Sequence, residues 1–125
     1  HARLLHTCYF ENTGSGKMKI NALPIEAQFA PTTTLFSDDF DHDGHPDLLL
    51  AGNTSTAEPE SGVYDAGNGV LLRGDGKGSF TFVAHQRSGL WASGEARDIV
   101  GIQLADGKKA VLVSNNNGAL QAFVY

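Results

Sequence analysis

Long apolar runs, basic clusters and paired cysteines are all missing from this chain of 125 residues. No stretch approaches the roughly 18 apolar residues that span a bilayer as a helix, so a membrane-crossing helix is not expected. Only nine Lys and Arg stand against fourteen Asp and Glu, and they are scattered singly apart from Lys108-Lys109. A nucleic-acid footprint needs a basic stripe, so that partner is excluded. A single cysteine, Cys8, forbids an internal disulfide and leaves the redox compartment undecided. It reads as a small core hydrophobe. The chain opens on His1 with no charged-then-apolar leader, so its first residue reads as a processed or excised end.

Charged residues make up only 18 % of the chain, too few for long amphipathic helices with a solvated face. What is present instead is glycine, fifteen in all, spaced between short runs of β-branched, aromatic and leucine residues. Such a pattern predicts many short strands joined by tight turns. The expected fold is all-β, a single β domain or segment over 1–125.

The runs repeat. Tyr9-Phe10-Glu11-Asn12-Thr13-Gly14 matches Leu71-Leu72-Arg73-Gly74-Asp75-Gly76 at an offset of 62. Asp43-Gly44-His45-Pro46-Asp47-Leu48-Leu49-Leu50 matches Asp106-Gly107-Lys108-Lys109-Ala110-Val111-Leu112-Val113 at an offset of 63. Each unit holds a Gly-turn hairpin, a connection, a strand leading to an Asp-Gly loop and an apolar strand leaving it. The units run over about 7–69 and about 70–125, with four short strands in each. A four-stranded unit recurring at this length predicts β-propeller-like blades. Two blades cannot close a ring, so the expectation is a segment of a larger propeller or a subunit of an oligomeric one. The turn-rich stretch from Thr54 to Gly69 is expected to be a long surface loop, the kind of segment that carries binding groups; Tyr64 and Asn68 are its candidates.

The densest chemistry lies in Asp38-Asp39-Phe40-Asp41-His42-Asp43-Gly44-His45-Pro46-Asp47, five carboxylates and two imidazoles in ten residues. Carboxylates at such spacing repel one another unless a cation or water separates them. From Asp39 the pattern is D-x-D-x-D-G-x-x-D, with alternate side chains offering hard oxygens, Gly44 allowing a sharp turn and the His45 carbonyl as a neutral ligand. Asp39, Asp41, Asp43, His45 and Asp47 are therefore the candidate metal ligands. Ca²⁺ takes 6 to 8 oxygens at about 2.3–2.6 Å and fits better than Mg²⁺. A helix-loop-helix calcium hand would need Glu as its twelfth residue, where Leu50 stands. Zinc, favoured by His42 and His45, and a metal-free solvated acidic turn are the alternatives. Asp38 is expected to end the incoming strand outside the ligand shell. In the second unit Ile102, Leu104 and Ala110 align with Asp39, Asp41 and Asp47, so that loop is expected to keep its turn and lose the ion.

The acidic loop with its apolar strand, Asp38 to Asn53, and the hairpin Leu71 to Val83 resemble the VCBS and FG-GAP repeats of exported β-propellers. The resemblance covers nearly the whole chain, and the acidic loop is its specific part. It implies a Ca²⁺-stabilised propeller bound for the periplasm, cell surface or medium of a bacterium, with Ca²⁺ held by Asp39, Asp41, Asp43, the His45 carbonyl and Asp47. It also implies a non-catalytic recognition platform for a polysaccharide or protein partner.

Other features have plainer readings. Arg73-Gly74-Asp75 spells an integrin-recognised tripeptide but is ordinary turn chemistry. Asn53-Thr54-Ser55 fits a glycosylation acceptor only in a eukaryotic secretory route. A hydrolase is the rival function, built from Ser88, Ser93 or Ser114 with His85 and Asp98, or from Glu95 with Asp98 as a glycosidase pair. No Gly-x-Ser-x-Gly elbow supports it. Arg97 and Asp98 are expected to pair with each other. Trp91 is a sugar-stacking candidate or a packing residue between blades.

Overall fold

The computed structural model describes residues 4–52 and 68–125. Nine strands form three antiparallel sheets among these residues. The first is a hairpin of β1 (Cys8–Gly14) and β2 (Lys17–Ala22). The second orders β3 (Thr34–Asp38), β4 (Asp47–Ala51), β5 (Val70–Gly74) and β6 (Phe80–Val83) side by side in sequence order. The third orders β7 (Ala96–Gln103), β8 (Lys109–Asn115) and β9 (Gln121–Val124) in the same way. The helices are one 3-10 turn at Ile25–Gln28 and one turn, α1, at His85–Ser88. The all-β expectation holds.

The four-stranded sheet straddles the boundary between the two sequence units, taking β3 and β4 from the first and β5 and β6 from the second. The sequence period and the sheet are thus half a unit out of phase. The physical reason is the connection after β4: β5 returns antiparallel beside it, pairing Leu48 with Leu72 and Leu49 with Leu71. β6 stops at Val83 because His85 begins α1.

The run Leu48-Leu49-Leu50-Ala51 is apolar throughout because β4 is covered on both sides, as buried central strands are. On one face Leu49, Ala51 and Leu71 join Leu90, Ala92, Ile99, Val111 and Val113 of the third sheet and the segment leading to it. On the other, Leu50 and Leu72 meet Leu23 and Ala27, with Tyr9 of the hairpin packed edge-on to Phe80 at 5.5 Å. The Tyr9 hydroxyl also donates to the Gly78 carbonyl, tying the hairpin to the β5–β6 turn. The central sheet is the middle layer of three, and the acidic loop sits at one end of it, between β3 and β4.

Candidate metal centre

Three of the five candidate ligands converge. Carboxylate oxygens of Asp39, Asp41 and Asp43 all lie within 4.8 Å of one another, the only such metal-capable group among the described residues. The backbone sets this up. Gly44 has φ +87° and His42 has φ +61°, so the chain curls in the left-handed region twice within three residues. The curl turns amides onto the acids: Asp39 accepts from the Asp43 N–H at 3.0 Å and the Gly44 N–H at 2.9 Å, and Asp43 accepts from the His45 N–H at 2.9 Å. Alternate positions supply acids because successive side chains of the loop diverge, which leaves Phe40 free to pack on Phe36 and Tyr125 in the core.

Asp47 plays a different part from the other three. Its side chain is 1 % exposed, and its two oxygens accept from the Phe40 N–H and the Gly74 N–H, each at 2.9 Å. One carboxylate thereby pins the start of the loop and the end of β5. The approach of β5 needs a glycine, since a Cβ on Gly74 would run into the Pro46 carbonyl. Burial pushes the Asp47 carboxyl above the usual range, against its two amide donors, and the charges of Asp41 and Asp43 push it the same way. A cation among the acids would remove that last contribution.

The imidazole of His45 lies against the Gly76 backbone, in the space a Cβ there would fill. Asp38 ends β3 as expected, and it is engaged: Lys109 Nζ reaches both its oxygens at 2.8 Å and the Tyr125 hydroxyl donates to it at 2.7 Å. The hydrogen bonds from Lys109 and then Tyr125 hold its carboxyl down to about 2, while burial and the bond to Asp38 push the Tyr125 phenol up. Arg73 stands 3.9 Å from Asp41 and partly offsets the loop's charge.

A cleft of about 640 Å³ opens beside this loop, between the second and third sheets. Asp41, Arg73, Thr81, Arg87, Phe123 and Tyr125 are among its walls. Sequence reasoning did not find it. Arg73 and Thr81 are cross-strand partners, a relation set by the β5–β6 register, whereas Phe123 and Tyr125 come from a different sheet.

The remaining candidates scatter. Tyr64 and the Asn53-Thr54-Ser55 tripeptide lie outside the described residues. Asn68 is buried, and its carbonyl accepts from the Ala92 N–H. Trp91 is exposed, with its ring edge-on to His85 at 4.9 Å. Of the hydrolase candidates, three are engaged with backbone: His85 Nδ1 sits 2.9 Å from the Leu90 carbonyl, Ser88 accepts from the Leu90 N–H, and Ser114 donates to the Asp98 carbonyl. Arg97 pairs at 3.4 Å with Glu95, not with Asp98, whose carboxylate accepts from the Ile99 N–H; consecutive residues of an extended chain point to opposite sides, so Arg97 meets the residue two before it and not its neighbour. In Arg73-Gly74-Asp75 every residue serves the fold, Asp75 accepting from the Lys77 and Ser79 N–H groups to close the turn.

Comparison with known proteins finds no matching family model, no matching curated protein and no matching solved structure.

Proposed function

We propose that this chain is a Ca²⁺-binding, non-catalytic recognition module of an exported bacterial protein, built from β-propeller-type blades of the VCBS and FG-GAP kind. The observation that carries the reading is the convergence of Asp39, Asp41 and Asp43 beside the buried Asp47 in a strand-loop-strand turn. The donor set is all hard oxygen, which suits Ca²⁺ and not zinc. His45 supports the same choice, since its ring packs on Gly76 and leaves its carbonyl as its contribution to the loop.

The ion's work is structural. Bound among the three acids, it offsets their repulsion and fixes the turn that aligns β3 with β4. The cleft between the second and third sheets begins at Asp41, so a fixed loop also fixes one wall of it. A polysaccharide or a protein segment is the partner class for that cleft, which offers Arg73 and Arg87 for polar contacts and Phe123 and Tyr125 for stacking.

Thermal melting in Ca²⁺, in Mg²⁺ and in chelator tests the reading. Free Ca²⁺ at about 100 times Kd adds about 2.7 kcal/mol to stability, roughly a 10 °C rise in Tm, with a smaller rise in Mg²⁺. An identical Tm in Ca²⁺ and chelator overturns it.

A further inference from the structure

One packing operation occurs twice in this molecule. The hairpin lays its Tyr9 face on the Leu50 and Leu72 face of the central sheet, and the central sheet lays its Leu49 and Leu71 face on the Val111 and Val113 face of the third. Tyr9 is the repeat counterpart of Leu71, and Leu50 that of Val113. Both interfaces therefore join the same two kinds of face in the same order. A stack built this way ends on one unused face of each kind.

Both unused faces carry an apolar patch. On the hairpin it carries Phe10, Met18 and Ile20, the counterparts of Leu72, Phe80 and Phe82, which are covered in the central sheet. On the third sheet the register places Val100 beside Leu112, Leu112 beside Ala122, and Ala110 beside both Ile102 and Val124, a continuous apolar patch bordered at one end by the pair Asp98 and Ser114. Phe10, Met18, Ile20, Val100 and Val124 are each more than half exposed. Stacked-repeat proteins keep the outer faces of their terminal units polar when those units end the stack. These two ends have no such polar face.

We infer that a second copy of this chain covers them head to tail, the outer face of the third sheet of one copy receiving the outer face of the β1–β2 hairpin of the next. The contact continues the internal packing operation and is heterologous: a pair keeps one free face of each kind, one on each copy, and growth stops only when a ring closes. The inference stands on packing and does not depend on the metal.

Light scattering of the full chain over a wide concentration range, with two variants, tests it. Met18→Glu/Ile20→Glu disables one face and Val100→Glu/Val124→Glu the other. The wild-type mass rises above the monomer with concentration, each variant alone stays monomeric, and an equimolar mixture forms a dimer of one copy of each and nothing larger. A wild type monomeric throughout, a variant that still self-associates, or a mixture that stays monomeric overturns the inference. Thr in place of Glu at the same four positions keeps strand propensity and serves if circular dichroism shows a Glu variant unfolded.

Discussion

Between β3 and β4 the chain turns through residues 39–46; between β7 and β8 it turns through residues 104–108. Both turns carry Asp-Gly with the glycine at φ +87°, and in both the aspartate accepts from the N–H two residues on, His45 for Asp43 and Lys108 for Asp106. They differ in how the rest of the loop is held. The second closes on its own backbone, with Leu104 N–H donating to Lys108 and Gly107 N–H to Leu104, and its flanking strands run on as a ladder that pairs Ile102 with Ala110 and Gln103 with Lys109. The first is longer, its ladder stops at the pair Asp38 and Asp47, and its amides are taken up by acids. A turn of this kind needs only the one aspartate beside its glycine, as the second loop shows with Asp106, so the further acids of the first have a separate role. Two of them tie the fold together, Asp47 by holding backbone N–H groups within the central sheet and Asp38 by bonding the Lys109 and Tyr125 side chains across to the third; the three that converge suit an ion.

Converting Asp47 to the residue its counterpart already has is the sharpest way to break the comparison. Ala110 is buried beside a turn with satisfied backbone, whereas Asp47→Ala leaves the Phe40 and Gly74 N–H groups unpaired in the interior. At about 1–3 kcal/mol for each stranded donor, less the relief of a buried charge, the expected loss is about 3 kcal/mol by urea unfolding, in Ca²⁺ and in chelator alike. Asp47→Asn keeps one acceptor and loses roughly half as much. A loss under about 0.5 kcal/mol for the alanine variant means that the two loops are held alike after all.

Next in size is the ion itself. Asp43→Ala removes one of three converging acids and abolishes the Ca²⁺-dependent part of the stability, about 2.7 kcal/mol under the conditions above. Asp106→Ala, the matching change in the second loop, leaves the difference between Ca²⁺ and chelator melts unchanged. If both variants or neither lose the metal response, the distinction between the loops fails.

Much of this was legible in the residues. Short apolar and β-branched runs between Gly-rich turns announced an all-β chain, and the D-x-D-x-D-G spacing picked out the acids that converge. Two things were not legible. Sheet membership depends on which strand returns beside β4, and pairing across the 52–69 connection is a long-range choice that no local pattern encodes. Likewise the alignment sets Ile102 opposite Asp39, while the ladder sets it at the position of Asp38, because the bulge between Ala96 and Asp98 slips β7 by one residue. The division of labour among the acids follows from burial: Asp47 faces two amides in the interior and Asp39, Asp41 and Asp43 do not, a difference invisible in their spacing.

Asp38 gives the smallest effect and the cleanest sign. Its ladder counterpart is Ile102, which carries no charge, while Asp38 bonds Lys109 and Tyr125 of the third sheet and is held down to about 2. A carboxyl whose folded value is depressed adds stability that is fully present above its unfolded value, about 4, and is lost as pH falls toward 2. Lys109 is half exposed, so solvent screening reduces the contribution to about 1 kcal/mol. Asp47, pushed the other way by burial, favours folding when protonated, and its share fades as pH rises; the two oppose each other in the wild-type profile. Subtracting the Asp38→Asn profile from that of the wild type, both in chelator, isolates Asp38, because Asp47 is common to the two. The difference is about 1 kcal/mol in favour of the wild type at pH 6 and shrinks to nothing near pH 2. A difference that stays constant over that range would mean the bond to Lys109 contributes through shape and not through charge.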